Sequence, residues 1–557
     1  MKRFVIILGT LAAFAITAGA QDSYYAEMLS RNNYYGTARS VALGGAMTAL
    51  GGDLGSVTFN PAGSAVNDYC QFTITPNLVF ATTKASFDPT GKEIFGDPTS
   101  TSHTKFRIPN IGLNLVFYPD ESSWITSSSF GIIANTTNTY LNYSTARGAN
   151  TYTSFLGSLA SAAGGMDYKS FGRDLATAYD ANQLGEYSSK GSNKYVGGNQ
   201  RLRPDETGVY LPGAINQTSM LEYYGAKTDL LFNLGYNVDD RFYFGFNLGI
   251  PMIDLGRNDL FYEQAQDPTA HPVIFYDKDD NLVPTNYVSS TNTYKLSTSA
   301  LGINARFGFI ALITESLRLG AAIQTPTAYT VHEKWEYSAS STYENSEYSS
   351  SAKSTPGEYE YHLRTPYIVD AGIAYTLPGV GLLSIDYELN DYSVCKYSDF
   401  GYLGYDEDSW AKENYVNRTF LGVSHSVRAG VEFKPLDFLA VRAGYSFVSD
   451  PEKYLLDESG KRVTAEEWKG YGQILTKGGY FDSFTHSVSF GLGYSSSGSF
   501  FADLALRLTS YPRNYYDPYY YSYDAVDKDG KLLDVNSPVI LLNRSVFDAM
   551  LTMGWRF

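Results

Sequence analysis

Apolar and polar residues alternate along many short stretches of this chain, and this two-residue period constrains its fold more than any other feature. One parity between positions 241 and 250 carries Phe242, Phe244, Phe246, Leu248 and Ile250. Successive side chains of a β-strand point to opposite faces, so such a run predicts a strand with one apolar face. Composition agrees, because the 557 residues include 48 Tyr and 51 Gly but only 18% charged residues, a usage that favours strands and turns. The chain is therefore predicted to be all-β.

The polar parity of the predicted strands carries charged residues. These are Asp370, Asp386, Arg428, Glu432, Arg442, Asp503, Arg507 and Asp548. One long apolar face is predicted from Tyr359, Tyr361, Leu363, Tyr367, Val369, Ala371, Ile373 and Tyr375. A soluble sandwich would bury its apolar parity, whereas a transmembrane barrel turns that parity to lipid and the polar one to its lumen. Alternation alone does not separate these two folds.

Connection lengths separate them. Fourteen strands are predicted at about 71–82, 106–118, 129–144, 227–237, 241–252, 296–313, 317–335, 357–376, 381–396, 416–434, 438–449, 482–495, 499–512 and 545–557. Connections after even-numbered strands are mostly tight turns, such as Asp239-Asp240, while those after odd-numbered strands run from roughly 20 to roughly 80 residues. Short turns on one side, long loops on the other and an even strand count predict a transmembrane antiparallel β-barrel of the outer-membrane type, with long extracellular loops. Several runs exceed the ~9 to 11 residues needed to cross a bilayer, so the strands are expected to project beyond it.

Residues 1–20 predict a secretory signal peptide. Lys2 and Arg3 precede an apolar run, and Ala18-Gly19-Ala20 forms a small-residue cleavage site. A membrane anchor is the alternative, but the run is shorter than the ~20 residues of a spanning helix, and no later stretch approaches that length.

Net charge and cysteine content exclude further classes of protein. A formal charge of -16 would repel a phosphate backbone, so nucleic-acid binding is not expected. Cys70 and Cys395 are too few for a disulfide scaffold. The strand map places them at opposite ends of the barrel, so a disulfide between them would contradict the map.

The segment 21–68, before the first predicted strand, is small and glycine-rich, above all over residues 38–53. Small residues let backbone segments pack closely in a confined space. A periplasmic tail is the alternative to a plug. The segment resembles the N-terminal hatch of the FadL/TodX family of outer-membrane hydrophobic-compound transporters, whose hatch bears an Asn-Pro-Ala motif. Asn60, Pro61 and Ala62 match that motif.

The resemblance implies that residues 69–557 form a barrel closed by this hatch. It also implies that a hydrophobic molecule is caught among the external loops, enters the barrel and leaves sideways at a kinked third strand, without an ATP site. The polar tract from Asn135 to Asn138 interrupts the alternation of strand three and is a candidate for that wall defect. A lumen-facing stretch is the alternative interpretation.

The large loop after strand three predicts a helical extracellular element at about 150–185. Its helically spaced apolar residues include Phe155, Leu156, Leu159, Phe171 and Leu175. These side chains either form a groove for an acyl chain or aromatic ring, or pack on one another and on neighbouring loops. Both alternatives stay open from the sequence.

The sequence lacks a G-x-S-x-G elbow and a dinucleotide fingerprint, so no enzyme, cofactor or metal site is predicted. Phe557, a terminal aromatic, resembles the recognition signal of the barrel assembly machinery. The expected protein is a monomer in the bacterial cell outer membrane, in contact with outer-membrane lipid. It would pass hydrophobic small molecules, long-chain fatty acids or aromatic compounds, by energy-independent diffusion. The alternative is a non-transporting barrel of the same type that acts as a surface anchor or secretion-system partner.

Overall fold

Fourteen antiparallel strands form a closed barrel, as the alternation and connection lengths predict. The first strand pairs with both the second and the last, which closes the sheet. The computed structural model describes residues 23–119, 124–187, 191–203, 208–279, 281–399, 409–451, 454–456, 462–463, 475–477, 484–520 and 525–557. The predicted signal peptide, residues 1–20, lies outside the described residues.

The strands follow one another round the barrel in chain order, and several consist of two halves. They are β1 (Gln71–Asp88), β2 (Thr99–Phe117), β3 (Ile125–Thr139 and Asn142–Asn150), β4 (Ile215–Val238), β5 (Phe242–Ala265), β6 (Leu282–Leu312), β7 (Leu317–Gln324 and Ala328–Tyr343), β8 (Gly357–Arg364 and Ile368–Leu377), β9 (Gly381–Asp391 and Lys396–Asp399), β10 (Val423–Leu436), β11 (Leu439–Val448), β12 (Thr485–Ser495), β13 (Phe500–Ser510 and Asn514–Tyr516) and β14 (Val539–Arg556).

Exposed apolar side chains form a band round the outside of the barrel. Members of this band include Phe106, Ile108, Ile111, Phe117, Phe244, Leu248, Met252, Val488, Phe490 and Leu492. Beyond the band the outward positions become polar, as where exposed Asp254 follows Met252 on β5. An outward apolar belt that ends in polar residues is the surface of a transmembrane barrel.

The segment before β1 lies inside the barrel as a hatch. It contains the helices α1 (Ser23–Ser30) and α2 (Ala38–Ala42) and the 3₁₀ turns Ser56–Thr58 and Pro61–Val66. Gly44 shows how tightly it packs, because its φ is +66° and a Cβ there would lie 2.8 Å from the backbone nitrogen of Tyr445 on β11. Only glycine adopts that conformation cheaply and leaves that space.

The loop after β3 contains two helices, α3 (Phe155–Ala163) and α4 (Arg173–Asp180), and with neighbouring loops it forms a cap over the barrel mouth. Short strands join them: Leu184–Glu186 pairs with Tyr195–Gly197, Arg201–Leu202 with Val209–Tyr210, Pro272–Tyr276 with β6, and Ser350–Lys353 with β7. Within the described ranges, no helix combines the length and the apolar character that crossing a membrane requires.

The projecting parts of the strands are longer than predicted, which shortens the loops. β4 and β5 have 24 residues each and β6 has 31, against the ~9 to 11 that cross a bilayer. The connection after β1 is therefore only residues 89–98 and that after β5 only 266–281, so the predicted minimum of about 20 residues is wrong for both. These strands continue to pair above the band, because their polar outward parity is then in water.

The single apolar face predicted from Tyr359 to Tyr375 is also wrong. Tyr361 and Leu363 are buried inside the barrel, whereas Tyr367 and Val369 are exposed on its outside. The two halves of β8 meet at Pro366, which cannot donate a ladder hydrogen bond. At the height of Pro366 the surroundings of the outer face change from lipid to water. Apolar residues therefore point outward within the band and inward above it.

Strand ten begins later than predicted. Residues Ala411–Phe420 form a helix, α5, and β10 starts at Val423 rather than near residue 416. Leu421, just after α5, is buried in the same apolar cluster as Tyr25 of α1. Packing against the hatch therefore replaces the strand pairing that alternation suggested.

Candidate functional site: a break in the barrel wall beside a filled chamber

The Asn-Pro-Ala motif anchors the hatch to the wall. The Asn60 side chain donates from Nδ2 to the carbonyl oxygens of Thr48, at 2.7 Å, and Phe309, at 3.0 Å, and its Oδ1 accepts from the Ala62 amide at 3.0 Å. Glycines on the wall leave room for it, because a Cβ at Gly245 would lie 2.1 Å from the Pro61 carbonyl carbon. The motif thus joins two turns of the hatch to β6.

Buried charges of the lumen hold the rest of the hatch. Arg442 bridges Glu432, at 2.6 Å, and Asp503, at 2.5 Å, and Arg39 of the hatch reaches Glu432 at 3.3 Å. The charged residues of the polar parity all lie buried inside the barrel, as their parity indicates: Asp370, Asp386, Arg428, Glu432, Arg442, Asp503, Arg507 and Asp548. Paired charges of this kind tolerate burial, whereas single ones do not.

The barrel wall is interrupted between β2 and β3. Their ladder runs from Phe117 with Ser128 to Asn110 with Asn135 and stops there. Over the rest of its length β2 pairs with β1 alone, within the part of the chain that the structure describes. β3 keeps its pairing with β4, with a register shift between Thr136 and Asn138.

The polar tract Asn135 to Asn138 marks the point where β3 leaves the wall. The carbonyl oxygens of Thr136 and Thr137 accept hydrogen bonds from the hatch amides of Tyr35, at 3.0 Å, and Asn33, at 2.7 Å. All four residues of the tract are buried. The tract is therefore both lumen-facing and the place where the wall is interrupted. Its polar groups face the hatch, and the strand bends inward to bring them there.

Few contacts span the break. Arg107 of β2 donates from Nη2 to the carbonyl oxygen of Gly225 on β4 at 2.7 Å. His103 of β2 stacks on Tyr143 of β3 with ring centroids 4.0 Å apart. Gly225 has a φ of +116°, and a Cβ there would lie 1.9 Å from the carbonyl oxygen of Asp254, so this position of the wall requires glycine.

Buried apolar side chains of the barrel surround helix α1, and the space that they enclose is called the chamber. Its wall includes Ala85, Phe87, Leu221, Tyr223, Ile253, Leu255, Leu296, Tyr329, Val331, Tyr361 and Leu363. The occupant is the chain's own helix α1, which buries Tyr25, Ala26, Met28 and Leu29 in it. The cavity left beside α1 is polar and has a volume of about 20 Å³, room for about one water molecule.

Lys227 of β4 holds the end of α1. Its Nζ donates to the carbonyl oxygens of Leu29, Ser30 and Arg31 at 3.3, 3.1 and 2.8 Å. Leu29 and Ser30 end α1 and Arg31 follows it, so these carbonyls lie at the helix C-terminus, where a cation is favoured; the Arg31 oxygen also accepts from Asn138 Nδ2 at 3.2 Å. The sequence feature that could have predicted this contact is a lysine on the inward parity of β4, and the alternation pattern alone did not identify it.

The predicted cap residues pack on one another and on neighbouring loops. Leu156, Leu159 and Leu175 are buried in one cluster. The ring centroids of Phe155 and Phe261 lie 5.1 Å apart, and those of Phe171 and Tyr195 lie 5.2 Å apart. All five side chains therefore pack in this cluster, either buried in it or partly buried against it.

Glu263 is a buried carboxylate that sequence reasoning missed. It accepts hydrogen bonds from the amides of Phe155, at 2.8 Å, and Leu156, at 3.3 Å, and from the side chains of Asn199 and Gln217 at 3.1 and 2.8 Å. Burial raises its pKa to about 7, although these donors lower it. Glu263 lies well above Met252, outside the membrane band. The sequence feature that could have identified it is a carboxylate on the inward parity of β5, between Phe261 and Ala265.

The two cysteines are free, so no disulfide contradicts the strand map. In the described ranges no three His, Cys, Asp or Glu residues gather in a metal-binding arrangement.

Comparison with solved structures finds barrels similar along nearly the whole chain. The toluene transporter TodX of Pseudomonas putida is 13% identical, with 94% of this chain and 98% of that chain covered and a TM-score of 0.47. The toluene transporter TbuX of Ralstonia pickettii is 13% identical, with the same coverages and a TM-score of 0.45. A FadL homologue of Pseudomonas aeruginosa is 12% identical, with 94% and 99% covered and a TM-score of 0.46. No protein-family model and no curated protein sequence matches the chain.

Two of these structures, TodX and the FadL homologue, carry the names of the family whose hatch motif Asn60, Pro61 and Ala62 resemble. The fold and the site are established by this chain's own strand pairing and contacts, since the identities and superpositions are low.

Proposed function

We propose that this protein transports hydrophobic small molecules across the bacterial outer membrane by energy-independent diffusion. The observation that carries the proposal is the break between β2 and β3, which adjoins an apolar chamber closed below by the hatch. A barrel that served only as a scaffold has no need of an unpaired wall, because unpaired backbone groups at membrane depth are costly.

The route would begin at the cap and end in the membrane. A ligand would displace the packed side chains of the cap, Phe155, Leu156, Leu159, Phe171 and Leu175 among them, and enter the chamber as α1 yields. It would then leave through the break, where Arg107 forms the only hydrogen bond between β2 and β4 found among the described residues. Lateral exit keeps an apolar molecule out of water, which is favourable by about 25 cal/mol per Å² of apolar surface.

Long-chain fatty acids and aromatic compounds are the proposed ligand classes. The chamber wall combines aliphatic residues such as Leu255 and Leu296 with the rings of Phe87, Tyr329 and Tyr361, so either class finds apolar contact. The exposed terminal Phe557 would serve as the signal to the barrel assembly machinery, and a monomer would suffice, because chamber and break lie within one barrel.

The test is uptake of labelled long-chain fatty acid and labelled toluene by cells that lack this protein, with the gene restored as the control. Loss of uptake of either compound, restored by the gene, is the expected result. A barrel with the break closed by a disulfide, His103→Cys with Tyr143→Cys, at the two side chains that stack across it, should behave like the deletion until it is reduced. Unchanged uptake of both compounds in the deletion would refute transport of these classes.

A second function is favoured by one observation. The lumen is filled by α1 and by side chains, which also suits a non-transporting barrel that acts as a surface anchor or secretion-system partner. In that case removal of residues 23–30 should leave the uptake of both labelled compounds unchanged. If the chamber lies on a transport route, the same deletion should raise that uptake.

A further inference from the structure

Two basic residues face each other on the outside of the barrel. Arg364 of β8 and Lys396 of β9 are register partners in the antiparallel ladder. Both are exposed, while their chain neighbours Leu363 and Tyr397 are fully buried inside, so both basic side chains point outward. Cβ atoms of directly opposite residues lie about 4.5 to 5.5 Å apart.

No carboxylate neutralises these two positive charges within the described part of the chain. Neither residue forms an ion pair there, and like charges directly opposite one another destabilise a sheet. The nearest carboxylate on the outward face of β8 is Glu360, four residues or about 13 Å along the strand and opposite His332. The next, Glu358, is paired with Lys334 at 2.6 Å.

The pair lies where the apolar band ends. Tyr367, 42% exposed, and Val394, 45% exposed, are the next outward residues toward the membrane. On the other side Ser398 continues the polar outward parity of β9. The pair therefore sits at the height of lipid headgroups, on a chain whose net charge is -16.

We propose that Arg364 and Lys396 bind the phosphate of a phosphorylated glycolipid of the outer leaflet. The planar guanidinium of Arg364 fits two phosphate oxygens, the ammonium of Lys396 supplies a second positive charge, and acyl chains continue along Tyr367 and Val394. The anion removes the repulsion between the two cations. This site lies on the outside of the wall and does not depend on what the barrel transports.

Native mass spectrometry of the purified full-length protein tests the site, with diphosphoryl lipid A as the probe. Each phosphate contact by a basic residue near a membrane contributes enough to change affinity about fivefold. Arg364→Gln and Lys396→Gln should each weaken binding by about that factor, and the double variant by about thirtyfold. Lys84→Gln is the matched control, because Lys84 is an exposed outward lysine on β1 whose ladder partners are Ser100 and Asn543.

A second comparison separates the headgroup from the acyl chains and from free phosphate. Lipid A without phosphates should bind about equally to the wild type and the double variant, and inorganic phosphate at equal concentration should not displace diphosphoryl lipid A. Equal binding of both lipids to the wild type, displacement by inorganic phosphate, or an equal loss in Lys84→Gln would overturn the proposal. If the double variant fails to assemble, the two single variants and Lys396→Arg, which should retain binding, decide the question.

Discussion

Arg107 on β2 donates a 2.7 Å hydrogen bond across the broken wall to the carbonyl oxygen of Gly225 on β4. The two strands are not neighbours in the ladder, since β3 stands between them in sequence and has bent inward. The side chain of Arg107 thus supplies one hydrogen bond across a gap that a continuous sheet would close by many.

Replacement of Arg107 by Gln should speed the exit of hydrophobic ligand. A hydrogen bond from a charged group contributes about 1.5 to 3 kcal/mol, and 1.4 kcal/mol corresponds to tenfold, so release from proteoliposomes should rise about tenfold. Lys105→Gln, two residues away on the same face, is the control. An equal rise in both variants would indicate general loosening of β2 instead.

Gly225→Ala should destabilise this part of the wall. The alanine methyl group would meet the Asp254 carbonyl at 1.9 Å in a backbone with φ of +116°. We expect a loss of at least about 2 kcal/mol in the free energy of unfolding, seen as a lower temperature for loss of the folded band in gels. Gly185→Ala is the control, because nothing lies within 4 Å of a Cβ at that position.

Lys227→Met should release α1 from the chamber. The carbonyl oxygens of Leu29 and Ser30 would lose their buried donor, while that of Arg31 keeps Asn138, at a cost of about 2 to 3 kcal/mol. Hydrogen exchange of residues 23–32 should accelerate, and binding of a hydrophobic dye should rise. Exchange that stays as slow as in the wild type would show that apolar packing alone holds α1, and Lys84→Met controls for loss of a lysine.

Asn60→Ala should loosen the hatch without unfolding the barrel. It removes one hydrogen bond donated to Phe309 of β6 and two bonds within the hatch, one donated to Thr48 and one accepted from Ala62. Cells carrying the variant should admit large polar antibiotics several-fold more readily, while the amount of folded barrel stays unchanged. Asn67→Ala is the matched control, since the Asn67 amide nitrogen has no hydrogen-bond partner among the described residues.

The cap should depend on pH through Glu263. Its pKa of about 7 lies above the ordinary 4.5, so the folded cap holds the proton more tightly than the unfolded chain. The stabilising contribution is therefore complete below about pH 4.5 and is lost as pH rises through about 7, by about 3 kcal/mol. Hydrogen exchange of residues 155–163, corrected for intrinsic rates, should accelerate from pH 5 to 8.

Glu263→Gln should remove that pH dependence, because glutamine does not titrate in this range. A profile in the variant that matches the wild type would assign the effect to another group.

The barrel was predictable because its signal is local and repeated. Alternation and turn residues depend on neighbours two to four positions apart, so Asp239-Asp240 and the run from Phe242 to Met252 could be placed without the fold. The hatch was expected from the small, glycine-rich residues before the first strand and from the resemblance of Asn60, Pro61 and Ala62 to a known family's motif.

The site was not predictable in the same way. Arg107 with Gly225, Lys227 with Ser30, and Glu263 with Phe155 join positions more than a hundred residues apart, and only the closed barrel brings them together. Phe155, Leu156, Leu159, Phe171 and Leu175 show the converse, because helical spacing marked them as apolar but could not say what they would face. The structure sets them against one another.

The sequence by itself determined an antiparallel barrel of fourteen strands, because strand period and turn chemistry are properties of adjacent residues. The tertiary structure alone decided where the apolar parity changes sides, as between Leu363 and Tyr367, and which of the two interpretations of the tract at Asn135 applies, since the β2–β3 ladder ends there and the tract also faces the hatch. Both features depend on whether lipid, water or the hatch surrounds a strand at a given distance along the barrel axis. Alternation of apolar and polar residues carries no information on that distance.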